Sequence, residues 1–237
     1  MPTEPLVEVA GVGKAYNGRT VVAGVTLTVR RGDIVGLVGA NGGGKTTTLR
    51  ILAGLLRADA GAGRVLGGDL SAVTPARRGA TGYMGQRLAL HADLSVAENL
   101  RFHAAVHGLG REAVAQAVAR HGLASVGDTR FGELSGGWAR RVQFAATVLH
   151  APPLMLLDEP TAGLDVVTRR HIWGWLGDFA AAGHGIVIST HDLQEAERWP
   201  SILLYERGRA SQQTTPSALI ARCGVASLED AVAGDAI

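Results

Sequence analysis

Cysteine is almost missing from this chain: Cys223 is the only one. A single thiol excludes an internal disulfide and fits a reducing compartment, and Cys223 lies outside every motif discussed below. Lysine is nearly as scarce. Lys14 and Lys45 are the only two, every other basic side chain being arginine or histidine. That bias reads as genome composition rather than function, but it makes Lys45 conspicuous. The opening "MPTEPLVEVA" has acids and prolines but neither a basic start nor an apolar run, so no signal peptide is expected. No stretch approaches the roughly 18–20 apolar residues needed to cross a bilayer. A net charge of +2 gives no argument for a nucleic-acid partner. Internal repeats and long linkers are also missing. These absences lead to the expectation of a soluble chain that reaches a membrane only if another protein recruits it.

What is present belongs to a globular protein. The 237 residues, 46% hydrophobic and 19% charged, lie at the upper end for one domain with one sizeable core. The first 32 residues alternate short β-branched runs with glycine turns, "LVEVAGV" and then "TVVAGVTLTV", which predicts antiparallel strands. Three uninterrupted apolar runs follow: "DIVGLVG" (33–39), "PLMLLDE" (153–159) and "GIVIST" (185–190). Each precedes a helix-like segment, the pattern of buried parallel strands in an α/β core.

A different texture separates the first two runs. "SVAENLRFHAAVHG" opens with Ser95 and Glu98 at capping-box spacing and ends on Gly108. "REAVAQAVARHG" then puts Val114 and Val118 on one helical face, and a third helix is expected to begin at "LSGGWARR" (134–141). The division is therefore a core over 1–86 and 151–220 with its β-subdomain, a helical insertion over 87–150, and a tail over 221–237; the chain after Pro216 has weak periodicity and is expected to pack loosely.

"GANGGGKTT" (39–47) matches GxxxxGK[ST] between a strand and a helix, the context that marks a phosphate loop. Gly39, Ala40 and Asn41 lead into it. Gly42, Gly43 and Gly44 let backbone N–H groups point inward around phosphate oxygens, and the helix start adds partial positive charge. Lys45 would reach the β- and γ-phosphates, Thr46 would ligate magnesium, and Thr47 would add a hydroxyl to the α-phosphate. "LMLLDEPTAGLD" (154–165) ends a strand in Asp158 and Glu159. Asp158 suits the carboxylate that holds magnesium beside a phosphate loop, and Glu159 suits a general base for an attacking water. "STHD" (189–192) places His191 at the end of the third apolar run, where ligands of α/β sheets collect.

Other features carry less. Gln86 after a short strand says little by itself. His103 and His107 have metal-ligand spacing but no apparent third ligand. Trp173 and Trp175 cannot share a helical face and read as packing. Arg140 and Arg141 read as a solvated helix face.

Taken in order and spacing, the phosphate loop, Gln86, "LSGG", "LLDEP", "AGLD" and "STHD" resemble the ATPases of the ABC transporter family over nearly the whole chain. Within it, "GYMGQRLALHADLSVAENLRF" and "HDLQEAER" look most like ATPase subunits of bacterial multidrug-type exporters. The resemblance implies a P-loop NTPase (RecA-like) α/β core with an N-terminal antiparallel β-subdomain and an inserted α-helical subdomain. It implies ATP and Mg2+ as cofactors, a second ATPase subunit, identical or related, and an integral membrane permease. It also implies a cytoplasmic chain held on the inner face of the membrane through that permease.

By the same resemblance Tyr16 stacks on adenine, and Gln86 sits near magnesium at the permease contact. Ser135, Gly136 and Gly137 form the signature that acts on the nucleotide of the opposite subunit. Asp165 crosses between the two sites, and His191 contacts the γ-phosphate. Two residues depart from the family pattern. Trp138 stands where a glutamine is most common. The signature's work belongs to the Ser135 hydroxyl and the N–H groups opening the helix, so a working variant is expected, with an asymmetric or non-hydrolysing subunit as the alternative. Pro200 stands where an aspartate is usual, which bears on a local helix end. A soluble ABC ATPase acting off the membrane would want a long coiled-coil insertion or two ATPase halves, and a GTPase switch an N-K-x-D motif. The sequence has none of these.

Overall fold

The computed structural model describes residues 4–233. The first residues of the opening stretch and the last four of the 221–237 tail lie outside them.

Alternation of apolar and polar residues makes Val7–Tyr16 (β1) and Arg19–Val29 (β2) an antiparallel hairpin. Its two-residue turn is Asn17-Gly18, both at positive φ, as the twist of a tight hairpin requires. Ile34–Gly39 (β3) leads through the glycine loop into Lys45–Leu52 (α1). Ala60–Val65 (β4) and Gly68–Asp69 (β5) extend the antiparallel side, with β4 paired to β1. Pro75–Gly79 (α2) then precedes Thr81–Met84 (β6).

The helical stretch is Val96–Val106 (α3), Arg111–Arg120 (α4) and Gly136–Val148 (α5). Ser95 and Glu98 form the reciprocal capping box that their spacing predicts. These helices enclose a hydrophobic cluster of their own around Val96, Leu100, Leu123, Phe131 and Val142. The chain returns to the sheet with Leu154–Asp158 (β7), Val166–Ala181 (α6), Gly185–Thr190 (β8), Leu193–Ala196 (α7), Ser201–Glu206 (β9) and Arg209–Ala210 (β10). Pro216–Cys223 (α8) and Leu228–Ala233 (α9) follow.

One ten-stranded sheet results, ordered β5-β4-β1-β2-β10-β9-β3-β8-β7-β6. From β9 to β6 the pairs are parallel, with β3 at the centre between β9 and β8. Its central strands are covered on both faces, which is why they read as continuous apolar runs. In β7, Leu154 and Leu156 enter the core shared with α1 and the β1–β2 hairpin, while Met155 and Leu157 enter the opposite core with α5 and α6. This is the period of two that a strand imposes.

The tail differs from expectation. Leu219, Leu228 and Ala231 are buried in the second of these cores, and the Leu228 N–H donates to Glu197 at 2.7 Å. Short helices with only two or three inward positions produce little periodicity, so their packing is hard to read from the sequence. After Pro200, β9 starts at once, and α7 is a helix of only four residues.

Candidate functional site

β3, β7 and β8 run parallel and in register, so their carboxyl ends form one shelf. Asp158 pairs with Ser189, and Val38 with Thr190. The loop after β3 wraps back over this shelf. Gly44 caps α1 at φ 104, where a Cβ would run into the Val21 carbonyl, so only glycine suits the position. No side chain caps α1, which leaves its first N–H groups for a ligand. Gly42 also has positive φ, but Gly43 does not, and its N–H donates to the Ala40 carbonyl at 3.2 Å. Of the three glycines expected to point N–H groups inward, Gly43 is thus engaged within the loop. Asn41 through Thr47, with Val21 and Gln86, line a cavity of about 300 Å³.

Lys45 lies across the loop mouth. It is buried, and its Nζ donates to the carbonyls of Gly39 at 2.5 Å and Ala40 at 2.9 Å. Burial pushes its pKa below the usual lysine value, against the pull of Glu159 and Asp158. Asp158 Oδ1 accepts from Ser189 Oγ at 2.6 Å, and Gln86 Nε2 lies 3.4 Å from Thr46 Oγ1 and 3.5 Å from Asp158 Oδ1. His191 Nδ1 is 3.2 Å from Glu159 Oε2. Glu159 has φ 49, left-handed backbone that a non-glycine residue adopts at a cost, and its N–H donates to Ser189 Oγ. Asp158 Oδ2 and Glu159 Oε1 are buried with no hydrogen-bond partner. Buried polar atoms are normally satisfied, so these two oxygens mark a place built for something else. Thr46 and Asp158 offer the hard oxygen donors that suit Mg2+, and Gln86 would add its Oε1 once its amide, now directing Nε2 at both, is turned over.

Lys45, Thr46, Gln86, Asp158, Glu159 and His191 therefore meet at one shelf. Tyr16 does not line the loop cavity; it stands exposed at the end of β1, with Lys14 Nζ 5.6 Å from its ring centre. Ser135 is the N-cap residue of α5, its hydroxyl free of a capping bond. Gly136 faces the same small cavity as Gln86, Arg140 and Glu159. Asp165 caps α6, accepting from the N–H groups of Val167 and Thr168 and from Thr168 Oγ1. The Thr168 hydroxyl is the main reason its pKa falls below the usual carboxylate value.

Trp138 packs into the helical cluster, with the Arg141 guanidinium 5.0 Å from its ring; the same guanidinium lies 5.2 Å from the ring of Trp175 on α6. Arg140 overturns the expectation of a solvated face. It is 7% exposed and donates to backbone carbonyls around the shelf. Helical spacing cannot reveal this, because the acceptors come from two other elements. Ser189 links the two acids, which no motif announces, although its place two residues before His191 is a usable signal. His103 and His107 gain a neighbour in His150, stacked on His107 with 3.7 Å between ring centres. Parallel rings do not aim nitrogens at a shared ion, and among the described residues no cluster of three or more His, Cys, Asp or Glu side chains is arranged to hold a metal.

Comparison with known proteins gives the same direction. Residues 22–162 match the family model described as "ABC transporter". The chain is 35% identical over 225 residues to the "Probable multidrug ABC transporter ATP-binding protein YbhF" of Escherichia coli (strain K12), covering 93% of this chain and 39% of that protein. It is 38% identical over 223 residues to the "Nod factor export ATP-binding protein I" of Paraburkholderia xenovorans (strain LB400), covering 92% of this chain and 73% of that one. A solved structure described as the ATP binding subunit of an ABC transporter superposes with a TM-score of 0.87 at 29% identity, over 97% of this chain and 98% of its own.

Proposed function

The chain belongs to the ABC transporter family, and from that premise we propose that it binds and hydrolyses ATP to drive a separate membrane permease, in the direction of export. The observation that carries this reading is the meeting of Lys45, Thr46, Gln86, Asp158, Glu159 and His191 at one shelf of strand ends.

Lys45 exchanges its two loop carbonyls for β- and γ-phosphate oxygens, and the free N–H groups of α1 take the remaining phosphate charge. Thr46, Asp158 and Gln86 would hold Mg2+, which would neutralise phosphate charge when bound. Glu159 takes the proton of the attacking water through its unpartnered oxygen. His191, already beside Glu159, orients the attack. Tyr16 stacks on the adenine. Ser135, Gly136 and Gly137 face the nucleotide of a second ATPase subunit, and Asp165 lies at the crossing between the two sites. Two copies related by a two-fold axis bury two nucleotides between them. Closure is favoured only when the γ-phosphate is there to be contacted from both sides.

A cavity of about 750 Å³ lies between the core and the helical stretch, lined by Thr46, Arg50, Leu55, Tyr83, Gln86 and His103. It is the place for a permease helix, and Gln86 belongs to both this cavity and the nucleotide cavity. Among the described residues no helix is long and apolar enough to cross a membrane; in this reading the permease supplies the span. The chain then works on the cytoplasmic face. YbhF is much longer than this chain, so its full activity is no guide beyond the ATPase unit.

The test is light scattering of Glu159→Gln protein with and without magnesium-ATP. A dimer formed only with ATP supports the sandwich and shows that Trp138 permits it. A chain that neither binds ATP nor dimerises overturns the reading.

A further inference from the structure

α5 begins with the signature residues and touches the shelf one turn later. At that point a single side chain reaches two separate pieces of backbone. Arg140 Nε donates to the Pro160 carbonyl at 3.3 Å. Nη2 donates to the carbonyls of Asp158 at 3.2 Å and Glu159 at 2.5 Å. Nη1 donates to the carbonyls of Gly85 at 3.2 Å and Gln86 at 2.7 Å, and to Gln143 Oε1 at 3.4 Å. Gln143, one turn further along α5, grips the same loop through the Arg87 carbonyl at 2.9 Å.

The Glu159 carbonyl also accepts from the Ala162 N–H at 3.2 Å, but the carbonyls of Pro160 and Gln86 take their donor from Arg140. β7 ends at Asp158, and the left-handed turn at Glu159 takes the following carbonyls out of the ladder. Buried carbonyls without partners are unfavourable. The planar guanidinium, with five N–H donors in a fixed fork, can span both segments at once. A lysine places all its donors on one atom and cannot. Among the described residues no carboxylate is hydrogen-bonded to this buried arginine. Carbonyls and the Gln143 amide oxygen hold it; burial weighs against its charged form, and the nearby charges of Asp158 and Glu159 favour it.

We propose that Arg140 is a positioning residue for hydrolysis: it fixes the backbone of Gln86 and Glu159 relative to each other and to the Ser135–Gly137 face of its own helix. The proposal rests on the reading of Glu159 as the base. Through Arg140, the helix face offered to a second subunit and the carboxylate serving the subunit's own nucleotide form one body. Movement of α5 is then felt at Glu159 without passing through the phosphate loop, which makes no bond to Arg140.

The test compares the parent with Arg140→Gln and Arg140→Lys. ATP turnover, affinity for a fluorescent ATP analogue, and hydrogen exchange of the nucleotide-free chain are measured for each. Arg140→Gln is expected to lower kcat at least tenfold while analogue affinity stays within threefold, because Lys45 and the loop are untouched. Exchange should quicken over 85–87 and 158–161 but not in β3 or α1. Arg140→Lys should fall between the two. Where Arg140→Gln does not fold, Arg140→Lys is read against the same criteria. Turnover within threefold of the parent in Arg140→Gln overturns the proposal. So does an affinity loss matching the kcat loss with faster exchange throughout the sheet, since that is general loosening. If the parent itself does not hydrolyse ATP, the functional reading fails, and the exchange pattern alone still decides whether Arg140 holds these two segments.

Discussion

In the proposed function two helix starts face phosphate, Gly44–Thr47 at α1 and Ser135–Gly137 at α5, and they are held by different means. The first is fixed by its own backbone: a glycine at positive φ, a loop tied to itself through Gly43 and Ala40, and a strand at the centre of the sheet. The second is fixed by side chains reaching other elements. Arg140 and Gln143 hold it to the shelf, and Arg141 lies between Trp138 and Trp175. The difference teaches that a phosphate-binding helix start can be a local property of nine residues or a tertiary property of the whole core.

Substitutions can sharpen that contrast. The largest effect is expected at the shelf. Glu159→Gln should lower turnover by about 10²–10⁴, the usual weight of a general base, while equilibrium ATP binding stays intact. Unchanged single-turnover rates would remove Glu159 from its role.

Next comes acid, which should loosen the side-chain-held half first. His121 is buried between Phe144 of α5 and Trp175 of α6, and burial, helped by Arg120 and Arg141, lowers its pKa to about 4. The unfolded chain takes up that proton near pH 6.5, so stability is present in full above that value and falls as pH drops toward 4. Such a displacement corresponds to about 3 kcal/mol. His150, similarly lowered to about 4 by burial beside His107 and His103, adds to the same window. Melting temperatures between pH 7 and 4 should fall less steeply in His121→Gln than in the parent; identical slopes would place the sensitivity elsewhere.

Lys45→Ala should weaken ATP by about 10- to 150-fold, the worth of charged hydrogen bonds to phosphate. Calorimetry giving the parent affinity would count against the phosphate-loop assignment. The smallest effect is expected from Trp138→Gln. Its ring is committed to Arg141 and the helical cluster, a contact worth about 0.5–1 kcal/mol. Melting a few degrees lower with turnover within threefold is expected, and a collapse of turnover would give the side chain a direct role at the second subunit's nucleotide.

The sequence disclosed those parts whose chemistry and geometry lie in one segment. The glycine loop, the acids ending β7 and the histidine after β8 each carry their own strand end, so motif and position coincide. Parallel strands were legible because burial on both faces leaves uninterrupted apolar runs. β4 was not: "AGAGRV" has almost no side chains to pattern, and its place follows from pairing with β1. Arg140 reads as a surface charge because its main-chain acceptors lie 18 to 55 residues away. The same distance hid Ser189, whose hydroxyl bridges Asp158 and the Glu159 N–H only once β7 and β8 lie in register.

The ten strands form a ribbon with a narrow waist. Its antiparallel and parallel pieces share a hydrophobic core, but along the ladder they are joined through β10, where Arg209 faces Ala23 and the Ala23 N–H reaches the Gly208 carbonyl at 2.7 Å. Tyr16 ends β1 on the antiparallel side, while the glycine loop follows β3 on the parallel side and packs against Val21 of β2. In the proposed placement, a nucleotide with its base on Tyr16 and its phosphates on the loop would tie the two pieces together as a splint. Binding would then stiffen the ribbon where its own hydrogen bonds are fewest, before any phosphate bond is broken.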